Sequence, residues 1–148
     1  MLRPILAQDK AAYLSMAHDF YHSDAVDHAV ADSHLERTFD ALMMGTPYAS
    51  CRILEHNGEM AGYVLLAHTW SQEAGGETVW VEELYVLPQF RGNGLGKQTL
   101  AALEREYPKV SRFRLEVRPD NVRARQLYES LGYRDLDYLQ MVQDKGCK

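Results

Sequence analysis

The spacing of hydrophobic and polar residues in the first third of the chain predicts one strand and two helices. Residues 2–7 form a short apolar run that fits a strand. Apolar residues then recur at helical spacing from about Asp9 and again from Ser33. At the second helix, Ser33 and Glu36 match a capping-box pattern, and Gly45 provides a stop.

The middle of the chain has the pattern of consecutive strands. Two apolar runs, residues 49–55 and 60–69, surround Asn57-Gly58, a dipeptide typical of β-hairpin turns. A third run covers residues 78–87 and follows a pair of glycines. These segments predict three strands in succession.

The last third of the chain alternates between helical and strand patterns. A helix is predicted over residues 94–107 and a half-buried strand over residues 113–117. A second helix is predicted over residues 121–131, with Asp120 as its cap. Residues 133–142 are apolar enough for one or two final strands. The order β-α-α-β-β-β-α-β-α-β predicts an α/β fold, a single-domain mixed central sheet with helices on both faces.

Length, charge and composition limit the classes of function. The 148 residues fit one domain spanning residues 1–148. The net charge of −5 argues against general nucleic-acid binding and favours a cationic small molecule as partner. We find neither a signal peptide nor an apolar run long enough to span a membrane. The two cysteines, Cys51 and Cys147, form neither a disulfide framework nor a metal site, which favours a reducing cytoplasm.

A glycine-rich turn joins the third predicted strand of the middle region to the following helix. Its spacing fits neither a dinucleotide-binding fingerprint nor a P-loop. Alternate glycines let the backbone approach a ligand closely, and the start of the helix offers free amides to an anion. A tight turn without a ligand is the alternative. The turn reads Arg91-Gly92-Asn93-Gly94-Leu95-Gly96-Lys97.

A second motif follows about two dozen residues later. It contains Asn121, Ala124, Leu127-Tyr128 and the stop Leu131-Gly132-Tyr133. Together, the two motifs resemble the GNAT superfamily of acetyl-CoA-dependent N-acetyltransferases, and they are closest to the small-amine and diamine acetyltransferases. The resemblance covers about the C-terminal half of the chain.

The resemblance implies a binding site for acetyl-CoA between two central strands that splay apart. The glycine turn would hold the pyrophosphate, backbone amides of the preceding strand would stabilise the oxyanion, and Asn121 would hold the pantetheine unless it only caps a helix. The implied cofactor-binding residues are Leu84, Tyr85, Val86, Arg91, Gly92, Asn93, Gly94, Leu95, Gly96, Lys97 and Asn121.

Two acids within the strand before the turn are candidates for the base. An alkylammonium has a pKa of about 10, so a base must remove its proton before attack. Regular alternation would place Glu82 on the face of Leu84, and Glu83 on the face of Val81 and Tyr85. By the resemblance we assign Glu82 as the base and Glu83 as a substrate-binding contact for positive charge. A salt-bridged carboxylate at the sheet edge is the alternative for each.

The resemblance further assigns Tyr128 as the acid that protonates the departing thiolate, although a core tyrosine would have the same helical pattern. Tyr21 and Asp24 are predicted to bind the acceptor, because the loop between the first two helices faces the substrate in similar enzymes. The alternative is a solvated loop. Further candidates for the wall of the acceptor site are His22, His28, Trp70, Trp80 and the Gly75-Gly76 loop.

Two other chemistries have weaker support. His18 and His22 are four residues apart on a helix, as in zinc hydrolases, but no third ligand is evident. Cys51 could be a nucleophile, but no histidine is tied to it by a motif, and a buried thiol is commoner.

The sequence therefore predicts an N-acetyltransferase that moves an acetyl group from acetyl-CoA directly to a primary amine in a ternary complex, without a metal. We expect a small cationic amine as acceptor. A protein acetyltransferase, acting on N-termini or lysines, and a non-catalytic acyl-CoA-binding module are the alternatives. The resemblance also makes a homodimer one expected assembly.

Overall fold

The centre of the molecule, described by a computed structural model for residues 1–26 and 28–146, is a five-stranded sheet with its strands in chain order. Neighbouring strands are antiparallel except the last two, which are parallel. The predicted mixed sheet is therefore confirmed. The strands are β1 (Leu2–Pro4), β2 (Ala49–His56), β3 (Glu59–Ser71), β4 (Gly76–Val86) and β5 (Arg112–Leu115).

Helices cover both faces of the sheet, as predicted. Because side chains alternate along a strand, Tyr63 and Val64 of β3 enter different hydrophobic clusters. Tyr63 packs with the first two helices, and Val64 packs with the third. Tyr128 of the fourth helix and Leu131, which follows that helix, also pack in this second cluster. The helices are α1 (Lys10–Tyr21), α2 (Asp32–Met43), α3 (Leu95–Glu106) and α4 (Val122–Ser130).

The predicted hairpin turn is confirmed. Asn57 and Gly58 have φ angles of 53° and 79°, the left-handed values that a two-residue hairpin loop requires. The first strand is shorter than predicted. It ends at Pro4, and a turn of 3-10 helix at Ala7–Asp9 follows.

The predicted cap of α2 is wrong. The helix begins one residue before Ser33, at Asp32, and Ala31 precedes it without a side-chain cap. The carboxylate of Asp32 instead lies 3.1 Å from Nδ1 of His18 on α1.

The predicted cap of α4 is also wrong. Asn121 caps the helix instead, by accepting a hydrogen bond from the amide of Ala124 at 3.2 Å, which confirms the alternative given for this residue. Asp120 pairs instead with Arg118.

The final strands predicted over residues 133–142 are not formed. Four large apolar side chains there are between 63% and 90% exposed: Tyr138, Leu139, Met141 and Val142. Apolar residues form a strand only beside a hydrogen-bonding partner, and this segment pairs with no strand of the described residues. The phenol of Tyr138 instead donates to Glu73 at 2.6 Å.

No helix within residues 1–26 and 28–146 is long and apolar enough to cross a membrane.

Candidate active site

A β-bulge in β4 sets the geometry of the two candidate acids. Leu65 of β3 is opposite Glu83, whereas its neighbour Leu66 is opposite Val81, so Glu82 is the additional residue. A bulge of this kind reverses which face each later side chain occupies. Val81 accordingly packs on the α3 face, while Tyr85 packs on the α1 face. The prediction that Glu83 shares a face with Val81 is therefore wrong, although it does share one with Tyr85.

The same strand parts from its neighbour just after the bulge. β5 pairs with β4 only from Thr78 to Val81, so among the described residues no strand pairs with the next part of β4 on that side. Leu87 donates its amide to Ala61 of β3 at 2.8 Å. Backbone N–H and C=O groups alternate in direction along an antiparallel strand. Those of Tyr85 therefore point toward β3, as the amide of Leu87 does, and those of Leu84 and Val86 point away from β3.

Of the implied cofactor-binding residues Leu84, Tyr85 and Val86, therefore, only Leu84 and Val86 direct their amides into the gap beside β4. Tyr85 contributes its ring instead, which lies 5.5 Å from the guanidinium of Arg91. Nε of Arg91 donates to the carbonyl of Val86 at 2.8 Å. The predicted phosphate-binding arginine is thus anchored at the mouth of this gap.

The glycine turn leads directly into α3 and has the backbone that its sequence predicts. Gly92 and Gly94 have φ angles of 83° and 72°, values that favour glycine strongly. Gly94 is the N-cap of α3, and no side chain caps this end of the helix. The first amides of the helix, which belong to Leu95, Gly96 and Lys97, therefore have no partner within it and can bind an anion.

The remaining residues of the turn have distinct surroundings. The side chain of Asn93 donates to the carbonyl of Phe90 at 2.9 Å, while that of Leu95 is buried in the core. A Cβ on Gly96 would lie 3.7 Å from Leu127 and 3.9 Å from Leu84. Gly96 is thus where α4 approaches the start of α3, in addition to offering an amide.

A cleft of about 580 Å³ opens where β4 and β5 part. Its wall includes the bulge residue Glu82 and, on the opposite side, Glu116, which directly follows β5. Burial by the surrounding protein raises the pKa of Glu82, and the charges of Glu116 and then Glu83 raise it further. Glu82 still has an exposed surface within the cleft, so it combines access to a ligand with a raised pKa. The aromatic part of the wall comes from Phe20, Tyr21, His28 and Trp80.

Glu83 lies beside the cleft but inside the core. Only 5% of the residue is exposed, and its two oxygens accept the phenols of Tyr21 at 2.5 Å and Tyr63 at 2.6 Å. Burial raises the pKa of Glu83, whereas the hydrogen bonds from Tyr21 and Tyr63 lower it. Burial followed by the charge of Glu83 raises the pKa of each phenol, so both remain protonated donors.

The predicted acceptor wall is only partly assembled. Tyr21, His28 and Trp80 line the cleft, whereas Asp24 and Trp70 do not. Asp24 lies in the exposed turn after α1, and Trp70 is 72% exposed near the distant hairpin that joins β3 to β4.

Tyr128 is half-buried on α4 and lines a groove between β5 and the C-terminal segment, not the cleft that contains Glu82. Burial raises the pKa of its phenol, which is therefore protonated at neutral pH. Its neighbour Leu127 is the residue that packs near Gly96 of the glycine turn. The assignment of Tyr128 as the acid stays a prediction, as does the role of Asn121 toward pantetheine.

The structure adds little to the two weaker chemistries. The rings of His18 and His22 stack at 4.1 Å, but no group of three or more metal-ligating side chains occurs in the described part of the chain. Cys51 is buried, and burial raises the pKa of its thiol to about 12, so it is a core thiol and not an activated nucleophile. Cys147 lies outside the described residues.

Sequence reasoning missed two residues near the site. Tyr63 is part of an apolar run, where it has no mark that distinguishes it from a core residue. Glu116 is the last of three charged residues that alternate with apolar ones in the pattern of the predicted strand, a pattern that also fits a strand face exposed to solvent. Only the contact of their strands with β4 brings them to the candidate acids.

Comparisons with known proteins find relatives in sequence and in fold. The model of the acetyltransferase (GNAT) family matches residues 13–133. A thialysine N-epsilon-acetyltransferase of Sus scrofa is 35% identical over 62% of this chain and 50% of its own length. An uncharacterized N-acetyltransferase of Methanocaldococcus jannaschii is 30% identical over 83% of this chain and 79% of its own. A spermine/spermidine N(1)-acetyltransferase of Bacillus subtilis is 27% identical over 57% and 61%. The chain thus spans about half the length of the Sus scrofa relative.

Solved structures share the fold along their whole length. A possible acetyltransferase from Clostridium difficile has a TM-score of 0.82 at 17% identity, covering 100% of this chain and 98% of that one. An aminoglycoside N-acetyltransferase in complex with CoA has a TM-score of 0.77 at 14% identity, covering 99% and 95%. At these identities the likeness concerns the fold.

Proposed function

Because the chain belongs to the acetyltransferase (GNAT) family, we propose that it transfers an acetyl group from acetyl-CoA to a primary amine of a small cationic acceptor in a ternary complex. The observation that carries the proposal is the gap beside β4, which lies between the open amides of the glycine turn and an acidic, aromatic cleft. The amides of the glycine turn suit a pyrophosphate, and the acidic, aromatic cleft suits an ammonium group.

In the proposed reaction, the amine nitrogen attacks the thioester carbon, the C–N bond forms and the C–S bond breaks. Glu82 takes the proton of the ammonium directly or through water. In this proposal the amides of Leu84 and Val86 donate to the oxygen that becomes negative. Tyr128 gives its proton to the thiolate and regains one from the nitrogen of the new C–N bond, so the products are the N-acetylated amine, the CoA thiol and one proton held by Glu82. The reaction as proposed needs no metal.

The relatives support a small amine as the acceptor, since those with named substrates act on thialysine and on spermine or spermidine. The wall of the cleft contains the carboxylates of Glu82, Glu116 and Asp120 and one arginine, Arg118, which pairs with Asp120. Its excess of negative charge agrees with this class. We further propose a reducing cytoplasm as the compartment, in which the free buried thiol of Cys51 stays reduced.

The proposal is tested by incubating the purified protein with acetyl-CoA and a panel of acceptors while free thiol is followed. The panel contains diamines, polyamines, thialysine, an aminoglycoside and a peptide with a free N-terminus. We expect saturable thiol release with a small cationic amine. Release with the peptide alone would favour a protein acetyltransferase, and CoA binding without release for any amine would favour a binding module.

The cofactor site yields a separate prediction. Gly94→Val is expected to abolish CoA binding, because a branched side chain at a φ of 72° distorts the turn that presents the amides. Gly45→Val is a matched control: Gly45 ends α2 at a φ of 76°, and a Cβ there meets nothing within 4 Å. Both variants should lose about 1–2 kcal/mol of stability through the same backbone strain.

Calorimetry with CoA on the folded variants separates the two effects. Loss of binding in Gly94→Val alone assigns the site to the glycine turn. Unchanged affinity in folded Gly94→Val, or equal loss in both variants, would contradict that assignment.

A further inference from the structure

Two buried tyrosine hydroxyls converge on one carboxylate beside the candidate cleft. Tyr63 is completely buried in the middle of β3, and its phenol donates to one oxygen of Glu83. Tyr21, the last residue of α1, donates to the other oxygen. Among the described residues Glu83 forms no ion pair, so these two phenols are the hydrogen-bond donors that compensate its buried charge.

The two tyrosines that donate to Glu83 have different surroundings. Tyr63 packs between the rings of Tyr13 and Tyr85, whose centroids lie 5.3 and 6.1 Å away. Tyr21 is half-buried and forms part of the cleft wall. The carboxylate between them belongs to the residue that follows the bulge at Glu82. These hydrogen bonds therefore connect the core to two parts of the cleft wall, Tyr21 and the bulge at Glu82.

We propose that Tyr63 is a positioning residue, which acts through Glu83 to hold Tyr21 against the bulge and so shapes the acceptor cleft. Glu83 in this arrangement supports the cleft from the core and does not contact the acceptor. This inference rests on the proposed function, because it concerns the acceptor site of that reaction.

The physical reason is the cost of a buried carboxylate with too few donors. If the hydroxyl of Tyr63 is removed, one oxygen of Glu83 loses its hydrogen-bond donor. The carboxylate then lowers its free energy by turning toward the cleft, where water can donate to that oxygen. That movement breaks or weakens its bond to Tyr21. The end of α1 is then less restrained, and the cleft is less often in the form that binds the acceptor.

Steady-state kinetics of Tyr63→Phe test the proposal, with Tyr13→Phe as the matched control. Tyr13 is equally buried in the same cluster, but its phenol does not bind Glu83. For Tyr63→Phe we expect the KM of the amine to rise about tenfold, with kcat within threefold and the KM of acetyl-CoA unchanged. Tyr13→Phe should leave all three constants unchanged. Equal effects in both variants, or no rise in acceptor KM, would overturn the proposal.

Two additional variants identify the route of the effect. Tyr63 and Tyr21 act on the same carboxylate, so their effects should not be independent. In the double variant Tyr21→Phe, Tyr63→Phe, the fold-rise in acceptor KM should be smaller than the product of the fold-rises in the two single variants. Glu83→Gln should raise the KM of a monoamine and of a diamine by the same factor. A larger rise for the diamine would overturn the proposal, since it would mean that Glu83 contacts the second charge.

Hydrogen exchange without substrates provides a readout that does not depend on the reaction. The amides of residues 18–21 in Tyr63→Phe should exchange at least threefold faster than in the wild type and in Tyr13→Phe. If no amine is acetylated by the wild type, the proposed function fails while this result can still be obtained. Unchanged exchange in Tyr63→Phe would overturn the positioning role itself.

Discussion

Replacing Tyr128 by phenylalanine is expected to lower kcat by about 10²- to 10⁴-fold while CoA affinity stays nearly unchanged. The variant keeps the aromatic ring that packs in the second hydrophobic cluster, and it removes only the proton that the phenol can give. Burial raises the pKa of Tyr128, so the phenol is protonated at neutral pH and available as a donor. Single-turnover kinetics together with CoA calorimetry measure the two quantities separately.

Tyr133→Phe is the control for this experiment. The ring of Tyr133 lies 5.9 Å from that of Tyr128, and burial raises the pKa of its phenol to about 12. Loss of that hydroxyl should leave kcat within a few-fold of the wild type. If Tyr128→Phe also retains such a rate, then Tyr128 is a core residue and the thiolate receives its proton from another group, such as water.

The glycine turn could be predicted because its information is local. Left-handed φ angles are accessible to glycine far more readily than to other residues, so Gly92 and Gly94 indicated the backbone that the structure shows. The same holds for Asn57-Gly58 in the hairpin. Local turn signals therefore fixed where α3 begins and where β2 turns back as β3.

The orientation of the acids could not be predicted, because a bulge is a property of two strands together. Nothing in the sequence around Glu82 distinguishes a regular strand from one that has an additional residue opposite β3. Alternation alone correctly paired Glu83 with Tyr85, but it also paired Glu83 with Val81, which packs on the other face. The two phenols on Glu83 come from residues 62 and 20 positions away along the chain, beyond the reach of any local pattern.

The C-terminal segment shows the converse limit. Its apolar residues satisfy the compositional signal for a strand, but Leu139 remains 90% exposed and Val142 88% exposed. Pairing depends on an available edge in the right register, and composition carries no information about that edge.

Glu82→Gln is expected to lower kcat/KM by about 10²- to 10³-fold and to remove the acidic limb of its pH profile, since the amide preserves the shape but cannot accept a proton. The pKa of Glu82 is raised by burial, by Glu116 and by Glu83. A raised pKa means that the carboxyl is still protonated, and inactive as a base, at pH values above its ordinary pKa of about 4.3. The wild-type rate should therefore fall as the pH is lowered through this raised pKa and should reach a plateau above it.

Glu116→Gln tests the cause of the shift without removing the base. Glu116 lines the same cleft, and its charge is the largest electrostatic contribution to the raised pKa of Glu82, after burial. Without that charge the acidic limb of kcat/KM should move to lower pH and still be present, whereas in Glu82→Gln it should be absent. An unchanged limb in Glu82→Gln would mean that another group accepts the proton, and a limb that moves to higher pH in Glu116→Gln would contradict the arrangement of the two carboxylates in the cleft.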